Sequence, residues 1–195
     1  MELTMSCELP ERLGAEEETR ERSMERFLRD VERRAYRIAL VSIRDADESL
    51  DIVQDAMISM VTRYAAKPSD EWRPLFYRIL KNRIRDFHRR RVVRQRVMSL
   101  FGATDAEGYD LIENAPSPEQ DDPAQRVAEG DTMDALEAAL QQLPARQREA
   151  FMLRNFEGLD VLETALAMGC SDGSVKTHCS RAAAKLRELL GEHWQ

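Results

Sequence analysis

Between Gly102 and Asp131 the chain loses all apolar periodicity, while the stretches on either side keep it. The segment holds Pro116, Pro118 and Pro123, and from Phe101 onward nine acids against the single base Arg126, a net charge of −8. Such a stretch buries too little apolar surface to offset its ordering entropy, so it reads as a flexible linker. Whatever folds must be built from the two flanking segments. Fully extended, roughly 30 residues reach on the order of 100 Å, so those two bodies need not touch.

Both flanks read as helical. Phe27, Leu28, Val31, Ala35, Ile38 and Ala39 recur at three- and four-residue spacings, the signature of an amphipathic helix. Leu50, Val53, Met57, Met60, Val61 and Tyr64 form a second stripe after the acidic start RDADE. Lys67-Pro68 breaks the chain, and Leu75, Phe76, Ile79, Leu80, Ile84 and Phe87 form a third. Beyond the linker, Met133, Leu136, Leu140 and Leu143 begin another helix, and Pro144 restarts it at a first helical position. Ala150, Phe151 and Leu153 carry it on to a stop at Glu157-Gly158. The first 24 residues, net −4, are poor in apolar period and read as an acidic tail. With only 8 Gly and 7 Pro in 195 residues, a turn-rich β architecture is improbable. No apolar run is long enough to span a bilayer, and the start lacks the pattern of a secretory signal, so a cytoplasmic location is expected.

The overall charge of −7 conceals a strong segregation. Residues 25–100 carry +7, and within 78–96 nine bases stand against the single acid Asp86. So dense a cluster is an electrostatic footprint for phosphate, although a merely solvated helix face gives the same composition.

The sharpest local signal is DVLETALAMGCSDGSVKTHCS, residues 160–180. A helix-turn-helix needs a small residue where its helices cross, a glycine in the turn and an aliphatic anchor in the second helix. Ala165, Gly169 and Val175 have that spacing. Ser171 is placed to cap the second helix, with Asp172 in its first turn. Val175 and Cys179 then point inward, while Ser174, Lys176, Thr177, Ser180 and Arg181 point outward toward a major groove, with Lys185 and Arg187 near phosphate. An αα-hairpin ending at a glycine is the competing reading of the same residues.

Two helical domains in this order resemble the bacterial extracytoplasmic-function (group IV) RNA polymerase sigma factors of the sigma-70 family. The motifs that carry the resemblance are DIVQDAM (51–57), LFYRILKNRIRDFHRRR (75–91), LPARQREAFMLRNFEGL (143–159) and GCSDGSVKTHCSRAAAKLREL (169–189). It implies an all-α fold of two small domains joined by the acidic linker: a region 2 bundle over 25–97 and a region 4 helix-turn-helix over 132–190. It further implies binding to the clamp of core RNA polymerase through Asp47, Asp51, Gln54, Asp55 and Ile58. Recognition and melting of the promoter −10 element then fall to Arg78, Lys81, Asn82, Arg85, Arg89 and Arg90. Recognition of the −35 element falls to Ser174, Lys176, Thr177, His178, Ser180 and Arg181. The loop 66–72 corresponds to the one that pockets a flipped base; Trp72 and Tyr77 are stacking candidates there, although aromatics at helical spacing are usually core. The resemblance also brings an anti-sigma partner and, through some relatives, a phosphorylated threonine, for which Thr62 is the candidate.

The sequence departs from the family pattern in three places. Leu50 stands in an acidic position before the docking glutamine, Thr164 in an aliphatic position of the helix-turn-helix, and His178 where arginine is common. Cys170 and Cys179 lie nine apart without a CxxC, and no catalytic or phosphate-loop motif is present, so neither a metal, a cofactor, a small-molecule substrate nor catalysis is expected. Two other readings compete: a stand-alone helix-turn-helix regulator, and a decoy that sequesters polymerase.

Overall fold

The computed structural model describes the backbone of residues 8–100 and 128–191 and the side chains of residues 18–94 and 133–191. Within these limits the chain forms seven helices and no strand: α1 (Glu8–Ile43), α2 (Ala46–Tyr64), α3 (Ser69–Leu100), α4 (Ala128–Gln141), α5 (Ala145–Asn155), α6 (Val161–Met168) and α7 (Asp172–Leu190). Most of the acidic linker, 101–127, lies outside the described residues.

The N-terminal domain is built from α1–α3. The expected tail is helical from Glu8, continuous with the first amphipathic stripe, and Met24 is already buried. Asp45 starts α2 by accepting the Glu48 amide at 3.0 Å, with Asp47 and Glu48 complementing the positive end of the helix. Its buried face agrees in part with the one the sequence suggests: Val53 and Met60 are core and Met57 and Tyr64 pack against it. Leu50 and Val61 are exposed, and the inward residues are Ser49, Ile52, Val53, Ala56, Ser59 and Met60. Two serines on the core side keep the helix surface thin, and the Ser59 hydroxyl is satisfied by donating to the Asp55 carbonyl at 2.8 Å. Hydropathy ranks serine as a surface residue, so the pattern takes Leu50 and Val61 as inward and passes over Ser49 and Ser59.

The C-terminal domain is built from α4–α7. Leu140 and Leu143 are buried as the period requires, but Met133 is exposed. Pro144 occupies the capping position itself, with an extended ψ of 140°, and the helix begins at Ala145. Gly158 supplies the left-handed turn (φ +66°) that ends this segment.

The two domains pack against each other. One core contains Trp72, Phe76, Tyr77 and Leu80 of α3 together with Leu153, Leu159, Ala165 and Met168 of the C-terminal domain. A second joins Val41 of α1 to Leu140, Leu143 and Met152. The length of the linker permits separation; the structure has the domains in contact.

Candidate functional site

Three surfaces hold the residues nominated from sequence. On α2, Asp47, Asp51, Gln54, Asp55 and Ile58 are all exposed, and Ile58 (62 %), Leu50 and Val61 are aliphatics that face solvent on the same helix. An acidic face with an aliphatic patch suits a protein partner better than nucleic acid, because phosphate would be repelled and the apolar area invites burial. Arg83, which sequence reasoning overlooked, reaches from α3 to this face. Its guanidinium lies 3.1 Å from the Asp55 carboxylate and donates to the Ser59 hydroxyl at 3.0 Å. Thr62 sits on the same helix, exposed, its hydroxyl donating to the Ile58 carbonyl.

On α3, Arg78, Arg85, Arg89 and Arg90 are exposed, whereas Lys81 and Asn82 are half-buried. Arg89 lies 3.5 Å from Asp86, and Arg90 donates to the Asp86 carbonyl at 3.3 Å, so both are oriented along the helix. The Lys81 ammonium donates to the carbonyl of Met168, the last residue of α6, at 2.8 Å. Burial, reinforced by the cations Arg146, Arg85 and Arg78 against the opposing pull of Glu149, lowers its pKa. Trp72 and Tyr77 are core residues in this conformation, 4 % and 2 % exposed. The Trp72 indole donates to the Lys67 carbonyl at 2.9 Å and packs near Phe27, and the Tyr77 hydroxyl donates to Glu157. Neither is available to stack on a base here.

The third surface is the helix-turn-helix, α6–α7. Asp160 and Glu163 form a reciprocal capping box: the Asp160 carboxylate accepts the Glu163 amide at 2.8 Å, and Glu163 accepts the Asp160 amide at 2.7 Å. Gly169 takes the left-handed conformation (φ +61°, ψ +46°), and Ser171 caps α7 by accepting the Ser174 amide at 3.3 Å. Val175 is fully buried and Cys179 half-buried. The departure at Thr164 loosens nothing, because its hydroxyl donates to the Asp160 carbonyl at 2.6 Å and the residue is fully buried. Lys176, Thr177, Ser180 and Arg181 are exposed; Ser174 and His178 are half-buried, the Ser174 hydroxyl sharing a hydrogen bond with that of Ser171. Burial, then the nearby Arg146 and Arg181, pushes the His178 pKa down, which favours the neutral imidazole.

Glu157 is the functional-looking residue that no local pattern announces. It follows α5 at the expected stop, yet its side chain is fully buried, and three residues of the N-terminal domain converge on it. Glu149, also in the C-terminal domain, is nearly buried beside Lys81, Arg146 and Arg85, and desolvation pushes its carboxyl up to about 7.

A basic helix, an acidic helix with exposed aliphatics and a capped helix-turn-helix, among described residues that are helical throughout, define the class of DNA-binding transcription proteins. Comparison with known proteins makes this specific. The model of sigma-70 region 2 matches residues 24–93, and that of sigma-70 region 4 matches residues 133–186. RNA polymerase sigma factor NccH of Alcaligenes xylosoxydans xylosoxydans is 36% identical over 141 residues, 72% of each chain. ECF RNA polymerase sigma factor SigM of Mycobacterium tuberculosis is 30% identical over 174 residues, 87% of this chain and 78% of that one. The fold is similar to that of the sigma factor RpoE from Bartonella quintana, solved with the anti-sigma factor NepR (TM-score 0.57, 24% identity, 86% of this chain and 96% of that one). It is also similar to CnrH in complex with the cytosolic domain of CnrY (TM-score 0.56, 20% identity, 88% and 90%). The chain belongs to the sigma-70 family, among its extracytoplasmic-function members. It is a promoter-specificity sigma factor of RNA polymerase, and nothing favours a stand-alone regulator.

Proposed function

We propose a division of labour among three helices. The α2 face, Asp47, Asp51, Gln54, Asp55 and Ile58, docks on the clamp of core polymerase. The exposed arginines of α3 hold the backbone of the −10 strand while Asn82 reads an unstacked base, having both a donor and an acceptor to offer. From α7, Lys176, Thr177, Ser180 and Arg181, flanked by Ser174 and His178, read the −35 duplex in the major groove. The observation that carries this reading is that the three sets occupy faces of three different helices, each with its own chemistry: acid and aliphatic, dense cation, and mixed polar. The chain contributes no catalysis of its own, polymerase performing the chemistry, and acts in the cytoplasm where polymerase and chromosome are. An anti-sigma factor as regulator is supported by the similarity to a sigma factor solved with one.

Assembly with core polymerase, followed by transcription of fragmented genomic DNA and sequencing of the products, tests the reading. Gel filtration should show co-elution with core enzyme, and permanganate should find exposed thymines upstream of the start. Asn82→Ala should lower promoter opening with polymerase affinity unchanged. Lys176→Ala or Arg181→Ala should weaken use of the −35 element, by ~1–3 kcal/mol where the lost contact is to a base. Failure to co-elute removes the proposal, and loss of polymerase binding in the α7 variants removes the division of labour.

A further inference from the structure

The imidazole of His178 sits half-buried on α7, and its Nδ1 is buried with no hydrogen-bond partner. Two guanidiniums face the ring, Arg146 from α5 and Arg181 from α7 itself. Arg146 is held in place from below. One of its guanidinium nitrogens donates to the carbonyl of Met168, the last residue of α6, at 3.0 Å, and to the Glu149 carboxylate at 3.3 Å. It thereby ties α5 to the end of α6 and stations a positive charge beside the second helix of the helix-turn-helix.

These surroundings decide which protons the ring carries. An imidazolium needs an N–H on both nitrogens, and an N–H on Nδ1 would be buried without an acceptor, the costly case for a polar group. The two guanidiniums oppose a further positive charge, and burial acts in the same direction. A neutral ring with its proton on Nδ1 would strand the same donor, whereas a bare lone pair there is favoured by the neighbouring cations. What remains is a ring whose one donor is Nε2–H.

A single uncharged donor behaves differently in a major groove from the cations around it. Lys176 and Arg181 gain from any phosphate, whatever the sequence beside it. A neutral N–H contributes nothing to counterion release and is matched by one acceptor on a base edge: N7 or O6 of guanine, N7 of adenine or O4 of thymine. Cytosine offers only a donor there. We infer that His178 is a specificity-determining residue of the −35 site: as a neutral imidazole it gives one Nε2–H bond to a base acceptor in the major groove, with Arg146 as the positioning residue that keeps it in that form. This rests on the assignment of α7 to the −35 duplex.

Holoenzyme assembled from core polymerase and the full chain tests this by selection from a pool of randomised duplexes, followed by binding to the enriched duplex. His178→Ala should erase the discrimination against cytosine at one position, retain the other preferences, and weaken binding to the enriched duplex by roughly three- to tenfold. The salt dependence of that binding should be unchanged, since no counterion-releasing contact is lost. His178→Arg should move the same position toward guanine, the bidentate partner of arginine. Arg146→Gln keeps a donor for the Met168 carbonyl and removes one of the two charges facing the ring, so the preference should give way on acidification at a higher pH than in the parent. A profile unchanged by His178→Ala, with that of Lys176→Ala or Arg181→Ala altered, overturns the role of His178 alone. Profiles unchanged in all three overturn the assignment of α7. A uniform loss at every position, or a salt slope that falls by about one, overturns the base contact, the first marking a packing role and the second a phosphate contact. An acid transition unmoved in Arg146→Gln overturns the positioning role of Arg146.

Discussion

The phenolic hydroxyl of Tyr77, on α3, donates to the carboxylate of Glu157, 80 residues further along the chain, inside a core shared by both domains. Burial, then the adjacent carboxylate, pushes the phenol pKa up, and burial pushes the Glu157 carboxyl up as well, against the hydrogen bond from Tyr77 and the charges of Arg34 and Arg73. The phenol thus remains protonated and able to donate throughout the physiological range. Tyr77→Phe leaves the ring in place but strands the carboxylate with Arg34 alone. The expected cost is about 1–3 kcal/mol in urea unfolding, the usual penalty for an unsatisfied buried acceptor. Combining it with Glu157→Gln should give a coupling of at least about 0.5 kcal/mol; strict additivity would show that the hydrogen bond does not form in solution.

Glu149 makes stability depend on pH in a definite direction. Its carboxyl sits at about 7 in the folded chain against an ordinary 4.5, chiefly because burial disfavours the charge, with Lys81, Arg146 and Arg85 pulling the other way. Between those two values the folded chain holds a proton that the unfolded chain releases, so this group favours folding as pH falls. The penalty is fully present above about 7 and fades toward 4.5. Glu149→Gln mimics the protonated form and should be indistinguishable from the parent near pH 4.5. It should be more stable by about 3.5 kcal/mol at pH 8, from ~1.4 kcal/mol per unit of pKa difference. Denaturant titrations at several pH values check this; a constant difference across the window would refute the assignment.

The Asp55–Arg83 pair joins the proposed docking face of α2 to α3, but it lies at the surface, with side chains 57 % and 36 % exposed. Exposed pairs contribute at most about 1 kcal/mol. Arg83→Ala should therefore shift the urea midpoint only slightly, the Ser59 hydroxyl keeping its bond to the Asp55 carbonyl. The variant frees the Asp55 carboxylate, and its effect should appear in polymerase affinity, measured by co-elution or by competition with the parent chain. A stability loss well above 1 kcal/mol would mean that Arg83 holds the two helices together.

These residues also show what a sequence can disclose. The helix-turn-helix was legible because its determinants are local: Gly169 in the turn, Ser171 at the cap and Val175 at the anchor each carry a conformational reason within a few residues. The break at Lys67-Pro68 and the start at Asp45 were readable on the same grounds. The buried face of α2 was legible only in part: Val53 and Met60 follow the hydropathy pattern, but Ser49 and Ser59 are core residues whose polarity hides them from it. The domain interface was less accessible still. Tyr77 and Lys81 follow the periodicity of their own helix, and nothing near them in the chain indicates that Glu157 and the Met168 carbonyl complete their bonding.

Gly158 and Gly169 share a left-handed backbone, φ +66° and +61°, but not a neighbourhood. A Cβ at Gly158 meets nothing within 4 Å, and at Gly169 only the Lys81 ammonium at an unstrained 3.8 Å. Neither site resists alanine by volume, so the cost in each case is that of forcing an L-residue into the left-handed region, about 1–2 kcal/mol. The restricted unfolded chain of the alanine variant offsets part of it. Gly158→Ala and Gly169→Ala should therefore destabilise by similar amounts, near 1 kcal/mol, in urea unfolding. Their functional effects should diverge. Gly169→Ala disturbs the turn that aims α7 and should weaken −35 use, whereas Gly158→Ala lies outside that turn and should leave −35 use near the parent level. Equal losses of −35 use in the two variants would mean that the Gly169 turn does not set the aim of α7.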